Sequence, residues 1–367
     1  MKNIKIFVDC HVFDEPFQGS TSYLRGLYLE LINQKNITFF LTSNDPDHLE
    51  TIFGRHENVV YLKFRYKNKF ARLLLDIPLL IRKYKIDWGH FQYIVPPIKL
   101  CRYIVTTHDV MFLDYPEYFP EGYKLKNKLL FQWSAQRSEV VLTVSEYSKA
   151  RIQKHFGINE IFVTHNAVDS VFLEPFEKTE AQEYIQSHFG IANFFLFVSR
   201  FEPRKNHITL LKVFIENKHY LTHELVFIGN EALECKELDD YYNNLPESLK
   251  AKVKILRKVN FKDLVSFTRA AQIALYPSIA EGFGIPPLES VACETPTVCS
   301  NSTAMADFDF MADFLFDPLD QTAMHQKINE ALVYKDWKVN KQQMCAQYNW
   351  KDAAAVFLKA INSLGNS

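Results

Sequence analysis

The chain has 367 residues, 47% of them hydrophobic and 23% charged, with a formal net charge of −1. That length suits two domains, and that composition belongs to globular proteins. The near-neutral balance argues against a nucleic-acid binder as a class, because such binding rests on a basic excess.

The chain opens with "MKNIKIFVDC", which enters a strand with no long apolar leader before it. The next helix has one apolar face: Tyr23, Leu24, Leu27, Tyr28, Leu31 and Ile32. Gly19 and Ser20 precede it. Gly19 is either an ordinary turn glycine or a point where the backbone comes close to a phosphate, and Ser20 or Thr21 can cap the helix. Strands follow at "ITFFLTS" and "NVVYLKF". The stretch Lys63–Lys85 then carries eight basic residues and one acid among Phe, Tyr and Leu. Such a mixture suits an anionic membrane surface or a solvated helix with one core face. "RYIVTTHD" is a strand ending at His108 and Asp109, and "EVVLTVS" and "IFVTHNA" complete the first strand series. The strand pattern lapses between Asp169 and Gln182. Residues 1–172 hold 22 basic and 18 acidic side chains, whereas 173–367 hold 20 and 25.

The second series comprises "NFFLFVSR", "ELVFIGN", "KVKIL", "QIALYPS" and "PTVCSN". Strands alternating with helical runs imply parallel sheets covered on both faces, and two series imply two such domains. After the first of these strands, Arg200 and Lys205 stand in a loop and a helix begins near Asn206. Two cations at a strand's carboxyl end suit a diphosphate, Arg as a fork and Lys as a point charge. After "QIALYPS" comes a loop with Glu281, Gly282, Phe283, Gly284 and Ile285. A helix with Leu288, Val291 and Ala292 on one face follows. Backbone N–H groups beside a helix N-terminus form an anion site. Glu289, in the first turns, reaches back as an acceptor for hydroxyls, while Glu281 faces whatever hangs from the phosphate. Hydroxyls, diphosphate and a second polyol in a row describe a nucleotide sugar. Six scattered cysteines without a CxxC pair read as reduced, buried small hydrophobes of a cytosolic protein, without structural zinc. No GxxxxGK is present, and no apolar run reaches the roughly 18–20 residues of a membrane-crossing helix.

The run "EGFGIPPLE", followed by "TP" and "TVCSN", resembles the donor-site signature of the retaining GT4 glycosyltransferases, the glycosyl transferases group 1, with the GT-B fold. "SRFEPRKN" is similar to that family's diphosphate-binding element, with Ser199 in place of a Gly and Arg204 as an extra cation that can share the task. Gln18–Gly19 stands where many relatives have a Gly pair, Ala167 replaces the Gly of "NGVD", and Glu294 stands at a helix end where relatives have Gly. The resemblance implies an α/β, GT-B architecture: two Rossmann-like domains whose parallel sheets face each other across a cleft. It implies an acceptor-binding domain over 1–172, a nucleotide-sugar-binding domain over 173–350, and a helix over 351–367 crossing back to the first, with Trp350 as the family's aromatic.

By the same resemblance the chain moves a hexose, mannose-like, with retention and without a metal or other cofactor. The donor is a nucleotide-diphosphate sugar carrying GDP or dTDP. The acceptor is a glycan or lipid-linked molecule of surface polysaccharide biosynthesis, reached from the cytoplasmic side with Lys63–Lys85 against the membrane. Arg200, Lys205, Gly19 and the amides of Phe283, Gly284 and Ile285 hold the phosphates. Glu289 takes the ribose hydroxyls, and Glu281 and His108 grip the sugar as the catalytic pair. Asp109 fixes the His or its loop. The competing readings are a nucleotide-sugar-binding protein without transfer and another GT-B enzyme, such as an epimerase.

Overall fold

The innermost strand of the second series, "FFLFV", is apolar throughout, which only a sheet buried on both faces rewards. The computed structural model describes residues 3–14 and 18–363, so the middle of the N-terminal loop, 15–17, and the end of the C-terminal segment, 364–367, lie outside the described residues. The chain divides into two compact units. One holds the chain up to Ala167 together with the segment from Asn349, and the other holds Val168–Tyr348.

The first unit is built on seven parallel strands: β1 (Ile4–Asp9), β2 (Ile37–Ser43), β3 (Val59–Lys63), β4 (Trp88–Gln92), β5 (Arg102–Thr106), β6 (Val140–Thr143) and β7 (Phe162–Val163). Their order is β3-β2-β1-β4-β5-β6-β7. The sequence pattern gave no strand at β4, because His90 and Gln92 interrupt its apolar run. Both side chains are buried and satisfied inside the unit: His90 Nδ1 bonds Tyr28 Oη at 2.7 Å and its Nε2 bonds Thr106 Oγ1 at 2.8 Å.

The second unit has six parallel strands: β8 (Phe194–Val198), β9 (Glu224–Ile228), β10 (Val253–Leu256), β11 (Ile273–Tyr276), β12 (Thr297–Ser300) and β13 (Leu315–Phe316), in the order β10-β9-β8-β11-β12-β13. Both sheets are doubly wound, and the order reverses between β1 and β4 and between β8 and β11. Loops leaving the carboxyl ends of strands at such a reversal diverge and open a crevice. Gly19 follows β1, Arg200 and Lys205 follow β8, and Glu281 to Glu289 follow β11. His108 follows β5, one strand beyond the reversal.

The helix Gly19–Leu31 buries five residues of its predicted face, with Ile32 buried just past its end. It starts at Gly19 itself. Gln18 is its N-cap and makes no side-chain cap bond, so neither Ser20 nor Thr21 caps it; the Thr21 hydroxyl donates instead to Val12 O at 3.3 Å. The C-terminal helix Trp350–Ser363 buries Ala353, Phe357, Ala360 and Ile361 and packs on Gly19–Leu31. The units divide at Ala167, ahead of the expected 172, because Phe172 is fully buried in the second unit, with its ring 5.9 Å from that of Phe261. Glu294 does take the left-handed conformation expected of a glycine, with φ 55°, and its carboxylate meets Lys341 at 3.2 Å.

A Cβ on Gly26 would lie 2.0–2.4 Å from three atoms of the Trp350 indole, so this contact requires glycine inside a helix. Gly26→Ala gains about 1 kcal/mol of helix propensity and loses more to overpacking. Urea unfolding is expected to show a net loss of about 1–2 kcal/mol. Unchanged or raised stability would contradict the packing described.

Candidate active site

The loop after β8 runs through a 3-10 turn, Pro203–Lys205, and enters the helix His207–Glu216 by way of Asn206 at φ 61°. The Asn206 side chain donates to Pro277 O at 3.2 Å and Pro318 O at 2.9 Å, and Ile279 N donates to Arg204 O at 2.8 Å. The loops after β8 and β11 are therefore tied together at the sheet's reversal. Charge ties them further. Arg204 pairs with Glu202 at 2.8 Å and Glu281 at 3.2 Å and donates to Ala280 O at 2.7 Å. Lys205 donates to Glu281, and Ser278 Oγ donates to it at 2.9 Å. Arg200, with its side chain 58% exposed, pairs with Glu202 at 2.7 Å.

Three cations and two anions thus share one cluster, and only Arg200 reaches out of it. Burial opposes the ionisation of Glu281, but the positive charges of Lys205 and Arg204 outweigh it and hold the carboxyl at about 2. Burial lowers the Lys205 pKa, and the Glu281 charge works against that. Each favours the charged form of the other. The sequence brought Glu281 and Lys205 to one site but gave them different ligand groups; here they hold each other. Arg204, expected only to share the diphosphate, is the buried bridge between the loops.

On the other side of Glu281, its N–H donates to Thr303 Oγ1 at 2.9 Å. Gly284 caps the helix Ile285–Ala292 at φ 102°, where an added Cβ would stand 3.0 Å from Met305 Cγ. Pro286 and Pro287 have no N–H, so the helix start offers the amides of Gly284 and Ile285 and not a full set of four. Phe283 is buried, with its ring 5.9 Å from Phe308 and 5.5 Å from Tyr348, so any part it plays in an anion site is through its backbone. One turn further on stands Glu289. Among the described residues nothing donates to its carboxylate, and burial pushes its pKa up to about 7. A half-buried acidic group with no donor among the described side chains suits hydroxyl donors.

In the first unit, His108 is buried between Tyr23, with ring centroids 5.0 Å apart, and Tyr93, at 5.3 Å. Its Nε2 meets Gln92 Oε1 at 2.7 Å, and burial lowers its pKa to about 4, so it is neutral at physiological pH with the proton on Nε2. Tyr93 itself sits at φ 59°, a conformation that side chains other than glycine and asparagine rarely take. Asp109 accepts from Met111 N at 3.1 Å and so fixes the loop. Gly19 opens its helix with nothing within 4 Å of where a Cβ would stand. Two features escaped the sequence. Gln92, which orients His108, lies on the unrecognised strand β4. Asp9, at the end of β1, is buried against His11 Nδ1 at 3.0 Å and Arg72 Nε at 3.7 Å; burial opposes its charge, yet those partners bring it to about 2. An acid closing an apolar strand was the available signal. Among the described residues, no group of three or more His, Cys, Asp or Glu side chains is placed to hold a metal ion.

Two family models match the chain: "Glycosyl transferases group 1" over residues 180–352 and "Glycosyltransferase Family 4" over 17–172. The chain is 26% identical over 313 residues to O-antigen chain mannosyltransferase B of Escherichia coli, covering 78% of this chain and 81% of that one. It is 32% identical over 202 residues to an O-antigen chain mannosyltransferase of Salmonella typhimurium, covering 54% and 51%. Among solved structures, sucrose-phosphate synthase of Thermosynechococcus elongatus superposes with a TM-score of 0.75 at 16% identity, over 100% of both chains. Anabaena HepE in complex with UDP superposes with a TM-score of 0.71 at 14% identity, over 99% and 100%.

The raised pKa of Glu289 has a definite consequence for stability. Its folded value, about 7, exceeds the ordinary 4.5, so protonation stabilises the fold. That contribution is full below pH 4.5 and is lost as pH rises through 7. Glu289→Gln is expected to match the parent protein near pH 4.5 and to exceed it by about 1–3 kcal/mol at pH 8, read by urea unfolding. Parallel pH profiles for the two proteins would contradict the burial assigned to this carboxyl.

Proposed function

Starting from the chain's membership of the group 1, family 4 glycosyltransferases, we propose that it transfers mannose from GDP-mannose, with retention and without a metal ion. The acceptor in this reading is a growing or lipid-linked glycan of a surface polysaccharide. The observation that carries it is the cationic cluster of Arg200, Arg204 and Lys205 on the loop after β8, tied to the loop after β11 that leads into the helix carrying Glu289. Diphosphate charge is met by Arg200, by the excess positive charge of the cluster to which Lys205 belongs, and by the amides at Gly284 and Ile285, which is the task a divalent ion performs elsewhere. Glu289 takes the ribose hydroxyls. Mannose follows from the names of the two O-antigen relatives.

Retention agrees with the state of the titratable groups. Glu281 is held at about 2 by its cations and His108 at about 4 by burial, so neither is a strong base at neutral pH. The departing phosphate oxygen takes the acceptor's proton, on the same face of the sugar. Glu281 and the neutral His108 then act by hydrogen bonds to the sugar and not by proton transfer. Among the described residues no helix is long and apolar enough to cross a membrane. The reading places the enzyme at the inner face of the cell membrane through Lys63–Lys85. In that segment Lys63, Arg65, Lys67, Lys69, Arg82, Lys83 and Lys85 are exposed, and the one acid, Asp76, is buried.

The test is transfer from GDP-mannose, dTDP-hexoses and UDP-sugars to a lipid-linked acceptor, with EDTA or Mn2+ added. The expected product comes from GDP-mannose, keeps the donor's anomeric configuration by NMR and is indifferent to EDTA. A preference for a UDP-sugar would overturn the donor, inversion would overturn the mechanism, and rescue by Mn2+ would overturn metal independence. Nucleotide-sugar binding with no turnover of any donor would favour a binding protein.

A further inference from the structure

The segment Lys69–Asp76 is inside out for a protein surface in water. It comprises a short turn, Lys69–Ala71, and a π-helical turn, Arg72–Asp76. Its charged residues Arg72 and Asp76 are buried: Arg72 lies beside Asp9 and 5.5 Å from the Phe64 ring, and Asp76 accepts from Arg65 N at 2.7 Å and Tyr66 N at 2.9 Å. Phe70, Leu74 and Leu75 point outward instead, with Phe70 65% exposed. Arg72 and Asp76, four residues apart, lie on the same inner side, as residues about one helical turn apart do.

A second element of the same unit repeats the pattern. In the helix Glu121–Arg137, Leu125 and Leu129 are one turn apart and 68% and 60% exposed, with the exposed Lys126 and Lys128 beside them. Leu73 of the first and Phe131 of the second belong to one core cluster, and Lys126 of the second lies close enough for its charge to act on Lys69 of the first. The pKa of Lys69 is lowered, first by burial and then by the positive charges of Arg72 and Lys126. Monomeric soluble proteins rarely expose so many large apolar side chains together, and a rim of lysines excludes most apolar partners but matches an anionic lipid headgroup layer.

We infer that the turn Lys69–Asp76 and the N-terminal half of the helix Glu121–Arg137 are two halves of one docking surface for an anionic phospholipid bilayer. The inference rests on the reading of Lys63–Lys85 as a membrane segment and adds a second, separate element to it. Phe70, Leu74 and Leu125 enter the acyl boundary, and Lys126 and Lys128 meet the phosphates. The inward pair Arg72–Asp9 anchors the docked turn to the end of β1.

The experiment is co-sedimentation of the full chain with phosphatidylcholine vesicles, with or without phosphatidylglycerol, at low and high salt. It needs neither donor nor acceptor. The variants are Phe70→Ser/Leu74→Ser, Leu125→Ser/Leu129→Ser and, as a control in the other unit, the exposed Leu221→Ser. The parent and the control are expected to bind phosphatidylglycerol vesicles in a salt-sensitive way, and each double variant at least about tenfold more weakly, while keeping the parent's circular dichroism. Parent-like binding by Leu125→Ser/Leu129→Ser, with loss by Phe70→Ser/Leu74→Ser, would overturn the two-element surface and leave the Lys63–Lys85 reading standing. No vesicle binding by the parent would overturn both. A parent that is a dimer, made monomeric by Leu125→Ser/Leu129→Ser, would assign the surface to a second copy of the chain.

Discussion

Glu281 and Lys205 are both largely withdrawn from water, and each favours the charged form of the other. Removing charge from water costs several kcal/mol per ion, and only a close partner with further hydrogen bonds offsets it. Arg204, Glu202 and Ser278 supply those bonds, so the loops after β8 and β11 hold one relative position. Everything else proposed for the second unit depends on this. Arg200 is displayed on the outer side of the cluster, and Glu289 stands one helical turn beyond Gly284 on a frame that does not shift. With three cations to two anions, the cluster carries an excess positive charge that a diphosphate would balance.

The first unit solves a similar problem with neutral groups. His108, Gln92, His90, Tyr28 and Thr106 form a buried chain of hydrogen bonds through β4 and β5. Burial lowers the pKa of both histidines, and a neutral imidazole can serve such a chain as donor on one nitrogen and acceptor on the other. This is why a polar strand can run through the middle of a sheet. It also makes His108 a fixed hydrogen-bonding group, with its tautomer set by Gln92.

Much of this was legible in the sequence. Apolar runs marked most strands, and glycines and cations marked the loops at the ends of β8 and β11, because both signals are local. What was missed depends on partners distant in the chain. β4 looked too polar, since Tyr28 and Thr106 are needed to satisfy His90. Glu281 read as a sugar ligand with no ion-pair partner, since nothing near it announces Lys205, 76 positions away. Arg204 read as an extra cation sharing the diphosphate, although it is the buried bridge between the loops. Pro286 and Pro287 were visible all along, and their missing N–H groups narrow the helix-start anion site to fewer amides than a generic helix offers.

The pairing of the loops after β8 and β11 is open to a double-mutant cycle on unfolding free energy, using Lys205→Met, Glu281→Gln and the combination. Each single change leaves a buried charge without its partner, so each is expected to destabilise, and the double variant to cost less than the two together by about 1–3 kcal/mol. Losses that add to within about 0.5 kcal/mol would show that the two charges do not depend on each other, and would contradict the account.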